Sequence, residues 1–403
     1  MVGFLMRKED QIRKTIEEGL SYLAFMEYTD KNGIGLCERW IINHRKKSPL
    51  IRPDCTAEYL NLLMTLEKNS CGRKRTYEEK CKNLARWCVH SVTDRGSPFG
   101  FNTESGRWES DFWINDNAKV LIALTNYLQY CNDTGLLKEI ESAIQRIFRF
   151  LALAQEKKGS FKARFTQKGK WFPPFVTTTI WGTLAYLYLY RYTKDEKIYH
   201  KIMNGIEWLL DHILDTGRLT TTYELYRGEK FRENWRPPSS ESAELMILLS
   251  EAYREFKSGD ILDRLESVFF WLSSLQTESG GVVNCDIGSK NASEQNNTHL
   301  ADMVYTNGYA LIGGLCAYES TGSSAYRVFS EKLGTFLSSI QVHEDVQWRG
   351  GWRGSYDVVK NEWAGRALYG GNTEEEGGMY SVYTGWTTVP ILQGLAYLLK
   401  QYS

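Results

Sequence analysis

An aromatic residue followed by an apolar one recurs six times along the chain at nearly even spacing. The aromatic members of these pairs are Tyr22, Trp87, Phe150, Trp208, Trp271 and Phe336. Successive members lie 65, 63, 58, 63 and 65 residues apart. Each pair sits in a segment whose apolar residues recur every three to four positions, as on one face of a helix. A period of this length predicts a chain built from repeated helical units.

A second set of helical segments alternates with the first. Its members cover residues 55–69, 116–130, 178–192, 240–256, 306–319 and 384–402. Segments of the first set carry charges on one face, as in DILDRLESVFFWLSSL, whereas those of the second are apolar nearly all round, as in YALIGGLCAY. A helix that is apolar on all sides is buried on most of them.

The two sets together predict an all-α fold, an (α/α)6 toroid of six helical hairpins with a repeat of roughly 63 residues. The second set would form the inner ring and the first set the outer ring, in a single domain over residues 1–403. An open helical solenoid is the alternative. It would need atypical terminal repeats, and the terminal repeats of this chain are ordinary.

The connections between the helices are unequal in length. Those from an inner to an outer helix are short turns such as CNDTG and KSGD. The reverse connections are long and cover residues 28–54, 93–115, 156–176, 215–238, 276–304 and 342–384. Long loops in a compact domain are usually functional, and the free N–H groups at helix N-termini favour negative charge. We therefore expect the functional site where the long loops meet the inner-helix N-termini.

The composition excludes several classes of function. Lys plus Arg and Asp plus Glu both number 49, so the chain lacks the basic excess of nucleic-acid-binding proteins. No apolar run approaches the roughly 18 residues that cross a bilayer, and the N-terminus has no signal-peptide core. We expect a cytoplasmic protein that binds neither nucleic acid nor membrane. The eight cysteines form no C-x-x-C pair, and we expect free thiols, no metal site and no cofactor.

Acidic residues and one histidine near the starts of the inner helices are the candidates for catalysis. Asp116 begins one such helix and is the main candidate for proton transfer; its alternative role is only to stabilise the helix N-terminus. Glu241 lies in the first turn of another inner helix, and His299 and Asp302 precede a third. A histidine near a carboxylate suits proton transfer close to neutral pH.

Aromatic residues, arginines and amides of the same loops are the candidates for substrate binding. The chain has 13 Trp and 24 Tyr, whose ring faces stack on the apolar faces of sugars, and arginine binds carboxylates through two parallel hydrogen bonds. The candidates are Arg107, Trp108, Asp111, Trp113, Trp181, Arg236, Tyr305, Asn307, Arg349, Trp352, Arg353 and Trp386. Together they predict a funnel for an acidic oligosaccharide.

The hairpin repeat and the segment FWINDNAKVLIAL resemble the six-hairpin glycosidase superfamily. This superfamily includes the unsaturated glucuronyl and rhamnogalacturonyl hydrolases, the endo-mannanases and the toroidal polysaccharide lyases. The hydrolases place a catalytic aspartate at the start of an inner helix, and the resemblance assigns this role to Asp116. The mannanase type carries two adjacent aspartates there, whereas this chain has Asn115 at the first position. A second acid would then come from Asp302, Glu241 or Asp111.

The resemblance implies hydrolysis of a glycosidic bond in a uronate-containing oligosaccharide. A toroidal lyase or a sugar epimerase is the alternative, with Tyr305 or His299 removing a proton; such epimerases use paired histidines. QTESGG and QWRGGW are similar to repeats of terpene cyclases and prenyltransferase β-subunits, although the chain has no D-x-D-D run. A non-catalytic peptide or glycan binder is a further alternative. The expected partner is an oligosaccharide or another small molecule, and the oligomeric state is open.

Overall fold

The chain forms two compact units. The computed structural model describes residues 7–69, 76–131, 133–225, 238–284, 298–364 and 378–402. Unit A consists of Glu27–Glu38 and Lys47–Leu214, and unit B of Met1–Met26, Arg39–Lys46 and Asp215–Ser403. The single domain expected from the sequence stays a prediction.

The helices of the described residues follow the predicted alternation. They are α1 Lys8–Phe25, α2 Pro53–Asn69, α3 Glu78–Ser91, α4 Ile114–Leu128, α5 Thr134–Ala154, α6 Val176–Thr193, α7 Glu196–Leu210, α8 Thr222–Leu225, α9 Pro238–Phe256, α10 Gly259–Ser273, α11 Asn307–Thr321, α12 Ser324–Ser339 and α13 Val389–Lys400. A single π-helical turn, Thr384–Thr388, precedes α13, and a 3-10 turn covers Gly378–Tyr380. The six aromatic anchors lie on α1, α3, α5, α7, α10 and α12, which confirms the register of the repeat.

Burial separates the two sets of helices as the sequence predicted. Every residue of α9 from Pro238 to Ala252 is buried, and so is every residue of α6 from Val176 to Leu187. In contrast, α7 buries Ile198, Ile202, Gly205, Ile206 and Leu209, which lie on one face. In unit A the apolar helix α4 packs between α2 and α6. In unit B α11 packs between α9 and α13.

Short strands occupy the long connections, for which the sequence predicts no secondary structure. They are β1 Glu27–Asp30, β2 Gly33–Cys37, β3 Arg39–Ile41, β4 Lys46–Lys47, β5 Leu50–Arg52, β6 Phe101–Asn102, β7 Arg107–Trp108, β8 Phe112–Trp113, β9 Arg164–Phe165, β10 Leu300–Asp302, β11 Ser355–Asp357, β12 Glu362–Trp363 and β13 Ser381–Tyr383. In unit A, β1, β2, β5, β6 and β7 form one antiparallel sheet, and β8 pairs with β9. In unit B, β10, β11 and β12 form a second sheet and β13 pairs with β3. These strands fix the chain next to the starts of the apolar helices.

A glycine with positive φ recurs once in each repeat, in the turn that follows each amphipathic helix. These residues are Gly33, Gly96, Gly159, Gly217, Gly280 and Gly350. At Gly159, with φ of 99°, a Cβ atom would lie 1.9 Å from the carbonyl oxygen of Asn204 on α7. At Gly280, with φ of 100°, it would lie 2.4 Å from the carbonyl oxygen of Lys332 on α12. Only glycine fits such a turn, both for its φ and for its approach to a backbone.

Glutamine side chains hold the same turns in place. The amide of Gln276 donates to the carbonyl oxygens of Gly280 and Phe329, at 3.0 Å each. The amide of Gln341 donates to those of Gly350 and Thr15, at 2.8 and 2.9 Å. The glutamine and glycine of QTESGG therefore have a structural role in this chain.

No helix in the described part of the chain combines the length and the apolar character needed to cross a membrane.

Candidate active site

A buried arginine with three carboxylates lies where β5 meets α2 in unit A. The sequence Arg52-Pro53-Asp54 places these groups, because proline keeps the preceding residue extended and is well tolerated as the first residue of a helix. Arg52 thus ends β5, and Asp54 lies in the first turn of α2. The Arg52 Nε atom donates to Asp54 Oδ1 at 3.0 Å.

Asp116 is the second partner of this arginine. It is the third residue of α4 and is 4% exposed. Arg52 Nη2 donates to its Oδ2 at 2.7 Å, and the Asn115 side-chain amide donates to its Oδ1 at 2.9 Å. The helix dipole of α4 also favours negative charge at this end. Asp116 is therefore held as a carboxylate in a fixed orientation.

Glu38 and Phe99 complete the surroundings of the arginine. Glu38 follows β2, and its Oε1 lies 3.7 Å from Arg52 Nη1. The guanidinium lies over the ring of Phe99, 3.5 Å from its centroid. Burial by itself lowers the pKa of Arg52, but the attraction of Asp54, Asp116 and Glu38 outweighs it and the pKa is raised.

This network is not explained by stability. Moving an ion into a protein interior costs several kcal/mol, and an apolar replacement of a buried ion network is often as stable or more so. Clusters of interacting titratable groups occur preferentially at functional sites. We therefore take the Arg52 network as the candidate active site.

A second buried ion pair lies on the same face of α4, since Lys119 follows Asp116 by three residues. Lys119 Nζ lies 2.9 Å from Glu58 Oε1 of α2 and 4.7 Å from the ring centroid of Trp181 on α6. Lys119 is 3% exposed. Lys119 and Glu38 were not among the candidates predicted from the sequence. A lysine inside the otherwise apolar run of α4 was the signal that could have identified Lys119.

Asp111 and Trp113 lie beside Arg164 at the β8–β9 pair. Arg164 Nη1 lies 3.1 Å from Asp111 Oδ2, and the guanidinium lies over the ring of Trp113 at 4.8 Å. Trp113 and Arg164 are opposite each other in the strand register. The arginine thus covers one face of the Trp113 ring, which narrows the part of the ring open to a ligand.

Arg107 and Trp108 lie on the β6–β7 hairpin. The ring centroid of Trp108 is 5.5 Å from that of Trp87 on the amphipathic helix α3 and 5.3 Å from that of Phe101. Arg107 is exposed. Trp108 therefore packs against α3, whereas the Arg52 network lies at the starts of α2 and α4.

Unit B brings together Glu241, Tyr305 and Trp386. Glu241 lies in the first turn of α9, is 1% exposed and accepts a hydrogen bond from the Thr222 hydroxyl at 3.3 Å. The ring of Tyr305 stacks on that of Trp386, with centroids 5.8 Å apart. The neighbouring Ser240 hydroxyl donates to the carbonyl oxygen of Tyr305 at 3.4 Å.

The π-helical turn at residues 384–388 presents Trp386. Such wider turns occur often at functional sites. The Tyr383 ring centroid lies 5.8 Å from that of Trp386, and the Arg39 guanidinium lies 5.5 Å from the Tyr383 ring. Tyr305 and Trp386 are half-buried. These rings form an aromatic surface of the kind expected for sugar stacking.

The side chains of Asp302 and Asn307 form hydrogen bonds at the start of α11. The carboxylate of Asp302 accepts hydrogen bonds from the backbone N–H groups of Val304 and Tyr305, at 3.1 Å each, and from the Thr306 hydroxyl at 3.0 Å. The Asn307 side chain exchanges two hydrogen bonds with the backbone of Val282 and donates a third to the carbonyl of Asp302. Asn117 binds Ser97 in the same way in unit A. Asp302 and Asn307 thus fix the preceding loop to α11, a structural role that the sequence did not reveal.

His299 lies beside a buried aspartate, Asp357, that was not among the candidates predicted from the sequence. Its Nε2 is 3.5 Å from Asp357 Oδ2, and the His299 side chain is 40% exposed whereas that of Asp357 is 1% exposed. The other Asp357 oxygen accepts hydrogen bonds from the backbone N–H groups of Val359 and Lys360 at 2.9 Å each. Asp357 therefore orders the β11–β12 turn as well as facing the imidazole.

The remaining candidates of unit B face other parts of the protein. Trp352 is fully buried and its indole N–H donates to the carbonyl of Leu337 at 2.9 Å, which makes it a core residue rather than a surface for sugar stacking. Arg349 lies 3.2 Å from Glu18 of the amphipathic helix α1. Arg353 forms an ion pair with Glu344 and donates to the carbonyl of Met379. Arg236 lies outside the described residues.

The described residues contain no group of three or more His, Cys, Asp or Glu side chains arranged to hold a metal ion. Six of the cysteines are described, all with free thiols. The expectation that no metal or cofactor takes part stays a prediction.

Comparison with solved structures relates the whole chain to sugar-converting enzymes. Cellobiose 2-epimerase from Bacillus thermoamylovorans B4167 superposes with a TM-score of 0.74 at 13% identity, over 98% of this chain and 99% of that one. Cellobiose 2-epimerase from Spirochaeta thermophila DSM 6192 gives 0.71 at 18% identity, over 100% of both chains. An inactive variant of an α-1,6-mannanase from Salegentibacter sp., in complex with α-1,6-mannotriose, gives 0.62 at 11% identity over 96% and 99%.

No family model matches the sequence, and no curated protein matches it either. At these identities the likeness to solved structures establishes the fold alone. Because it extends over nearly the full length of both chains, the protein has the (α/α)6 toroid fold that these epimerases and mannanases share.

Proposed function

We propose that this protein hydrolyses a glycosidic bond in an oligosaccharide, with Asp116 as the main proton-transfer residue. The observation that carries the proposal is the Arg52 network, which fixes the Asp116 carboxylate at the start of α4. A carboxylate is the group that glycosidases use to activate water or to attack the anomeric carbon. The solved relatives that act on mannan and cellobiose support a carbohydrate substrate.

The arrangement favours a base or nucleophile over an acid. An adjacent guanidinium stabilises the charged form of a carboxylate, so Asp116 is set to accept the proton of a water molecule as its oxygen attacks the anomeric carbon. A separate carboxylic acid then protonates the departing oxygen. The products are two shorter sugars, one with a new reducing end.

Epimerisation with paired histidines is less well supported. All six histidines lie in the described part of the chain, and none of them is buried. His212 stacks on Trp208 of α7, at 4.1 Å between centroids, and His343 lies 3.3 Å from Glu18 of α1. The buried charged groups of the described residues are instead carboxylates, arginine and lysine. This observation favours hydrolysis over the epimerase chemistry of the structurally similar proteins.

The test is a screen of the purified protein against oligosaccharides that include α-1,6-mannotriose and cellobiose. Release of new reducing ends is measured by chromatography, and epimerised or unsaturated products are sought in the same samples. We expect hydrolysis of at least one oligosaccharide, and an Asp116→Asn variant that retains roughly a thousandth of the kcat. Asp94→Asn, an exposed acid of a turn in unit A, is the matched control.

Three results would count against the proposal. An epimer as the only product would indicate isomerisation, and a product with a new double bond would indicate a lyase. An Asp116→Asn variant with near-normal turnover would remove Asp116 from the reaction. Thermal melting of both variants separates loss of catalysis from loss of folding.

A further inference from the structure

Two ionic connections join α2 to α4 in successive helical turns. The first is Arg52, which precedes α2 and contacts Asp54 of α2 and Asp116 of α4, at 3.0 and 2.7 Å. The second is Lys119 of α4, whose Nζ lies 2.9 Å from Glu58 Oε1 of α2. On α2, Glu58 follows Asp54 by four residues. On α4, Lys119 follows Asp116 by three, so each helix presents its two groups on one face. The connections therefore lie about 5 Å apart along the helices.

The lysine of the second connection also contacts a third helix. Its Nζ lies 4.7 Å from the ring centroid of Trp181 on α6. Lys119 is 3% exposed, and the Glu58 side chain is 11% exposed. Burial of two ions is costly, and well-packed apolar side chains of similar volume often give equal or greater stability. Stability therefore does not explain why this pair lies inside an otherwise apolar set of helices.

Two connections at different heights restrict a helix pair more than one does. A single contact leaves α4 able to turn about that contact or to slide along α2, and the apolar attraction between the helices is non-directional. A second ion pair one turn away opposes both movements, because either movement would lengthen its N···O distance and weaken its attraction. The Asp116 carboxylate in the first turn of α4 then keeps its orientation toward Arg52.

We propose that the Lys119–Glu58 pair is a positioning device, which holds Asp116 against Arg52 without touching the substrate. The proposal rests on the proposed function and adds two positioning residues to it. A group that transfers a proton has to be placed accurately, since a displacement of about 1 Å can lower a rate about 100-fold. Loss of the pair thus affects the reaction step and not the affinity for the sugar.

The first test removes both charges of the pair together. Lys119→Met combined with Glu58→Gln keeps the side-chain lengths and the formal charge, so the electric field at Asp116 changes little. On an oligosaccharide that the protein cleaves, we expect kcat to fall about 10–100-fold while KM stays within about twofold. Lys80→Met combined with Glu27→Gln is the matched control, because that pair joins α3 to β1 at 2.7 Å in the same unit. It should leave kcat and KM unchanged.

The second test needs no substrate. With isotope-labelled arginine, NMR measures how fast the guanidinium protons of Arg52 exchange with water, and their signal is identified by its loss in Arg52→Met. We expect roughly tenfold faster exchange in the double variant, because the contact with Asp116 opens more often, and no change in the control. Thermal melting verifies folding. If the double variant does not fold, Glu58→Gln alone, which keeps an acceptor for Lys119, is measured in the same way and should change kcat and exchange in the same directions.

The results separate the positioning role from the proposed hydrolysis. If an oligosaccharide is cleaved and the double variant keeps its kcat, the positioning role is wrong and hydrolysis stands. A higher KM at normal kcat also overturns the positioning role, since the pair would then bind the sugar. If no oligosaccharide is cleaved, the proposed hydrolysis fails for these substrates, and proton exchange alone decides. Unchanged exchange overturns the positioning role in either case.

Discussion

Replacing Arg52 with methionine removes the cation that three buried carboxylates share. Asp116, Asp54 and Glu38 lie 2.7, 3.0 and 3.7 Å from the guanidinium, and all three are at most 5% exposed. Methionine is apolar and of similar length, so the change removes charge with little change in volume. The variant therefore isolates the electrostatic contribution of the network.

The expected loss is set by the carboxylates that remain. Removing one partner of a buried ion pair costs about 3–5 kcal/mol, because the other charge stays buried without compensation. Here three charges stay behind, so we expect the upper part of this range. At roughly 2 °C per kcal/mol for a large chain, the apparent Tm falls by about 8–10 °C. Arg45→Met is the control, since Arg45 forms an exposed pair with Asp345 and such pairs contribute about 0–1 kcal/mol.

Differential scanning calorimetry and urea unfolding of the two variants provide the measurement. A second variant, Arg52→Met combined with Asp54→Asn and Asp116→Asn, removes charge from both sides of the network. It should recover part of the lost stability, because the uncompensated charge and not the missing side chain causes the loss. A single Arg52→Met variant whose Tm lies within about 2 °C of the wild type would refute the reasoning.

Three further predictions concern turns, protons and thiols. Gly159→Ala places a Cβ 1.9 Å from the Asn204 carbonyl and should lower the free energy of unfolding in urea by about 3 kcal/mol or more. The control Gly106→Ala is also at positive φ but would meet nothing within 4 Å, and it should cost about 1 kcal/mol. Equal losses in the two variants would contradict this account. Burial raises the pKa of Glu224, but hydrogen bonds from Arg218 and Thr221 outweigh this effect and lower it below 4.5. Glu224 therefore stabilises the fold above that pH, so Glu224→Gln should lower the free energy of unfolding by about 1–2 kcal/mol at pH 7. The difference in this free energy between wild type and variant should shrink as pH falls below 4.5. A difference that grows instead would contradict the lowered pKa of Glu224. Burial raises the pKa of Cys81 to about 12 and also raises those of Cys55, Cys88 and Cys316, so iodoacetamide at pH 8 should label Cys131 well before these four in the native protein, which peptide mass spectrometry checks.

The repeat could be predicted because helical periodicity is a local property. The six aromatic anchors lie on the predicted helices, and the apolar segments became α2, α4, α6, α9, α11 and α13. The strands could not be predicted because each is only two to five residues long. Their pairing depends on partners elsewhere in the chain, such as Trp113 opposite Arg164.

The site was predicted less completely than the fold. An acid in the first turn of a helix can either take part in catalysis or stabilise the helix N-terminus, and only the tertiary structure shows which. Asp116 faces Arg52, which comes from a different long connection, whereas Asp302 accepts hydrogen bonds from the N–H groups of its own turn. Arg349 is likewise engaged by Glu18, which lies 331 residues away in sequence. The residue types in the long loops therefore identified the region of the site but not the role of each side chain.

The glycine turns have a consequence for how far such sequences can diverge. Five of the six turns rest on the main chain of another amphipathic helix, as Gly217 does on the carbonyl of Ser267 and Gly350 on that of Glu18. Gly96 instead faces the side chains of Asn117 and Phe150. A main-chain carbonyl is the same whatever residue carries it, so the helix side of the contact places no demand on residue identity. In those five repeats one residue is thus constrained while its partner is free to vary. Proteins of this architecture can keep their repeats in register at 11–18% identity, as those compared above do.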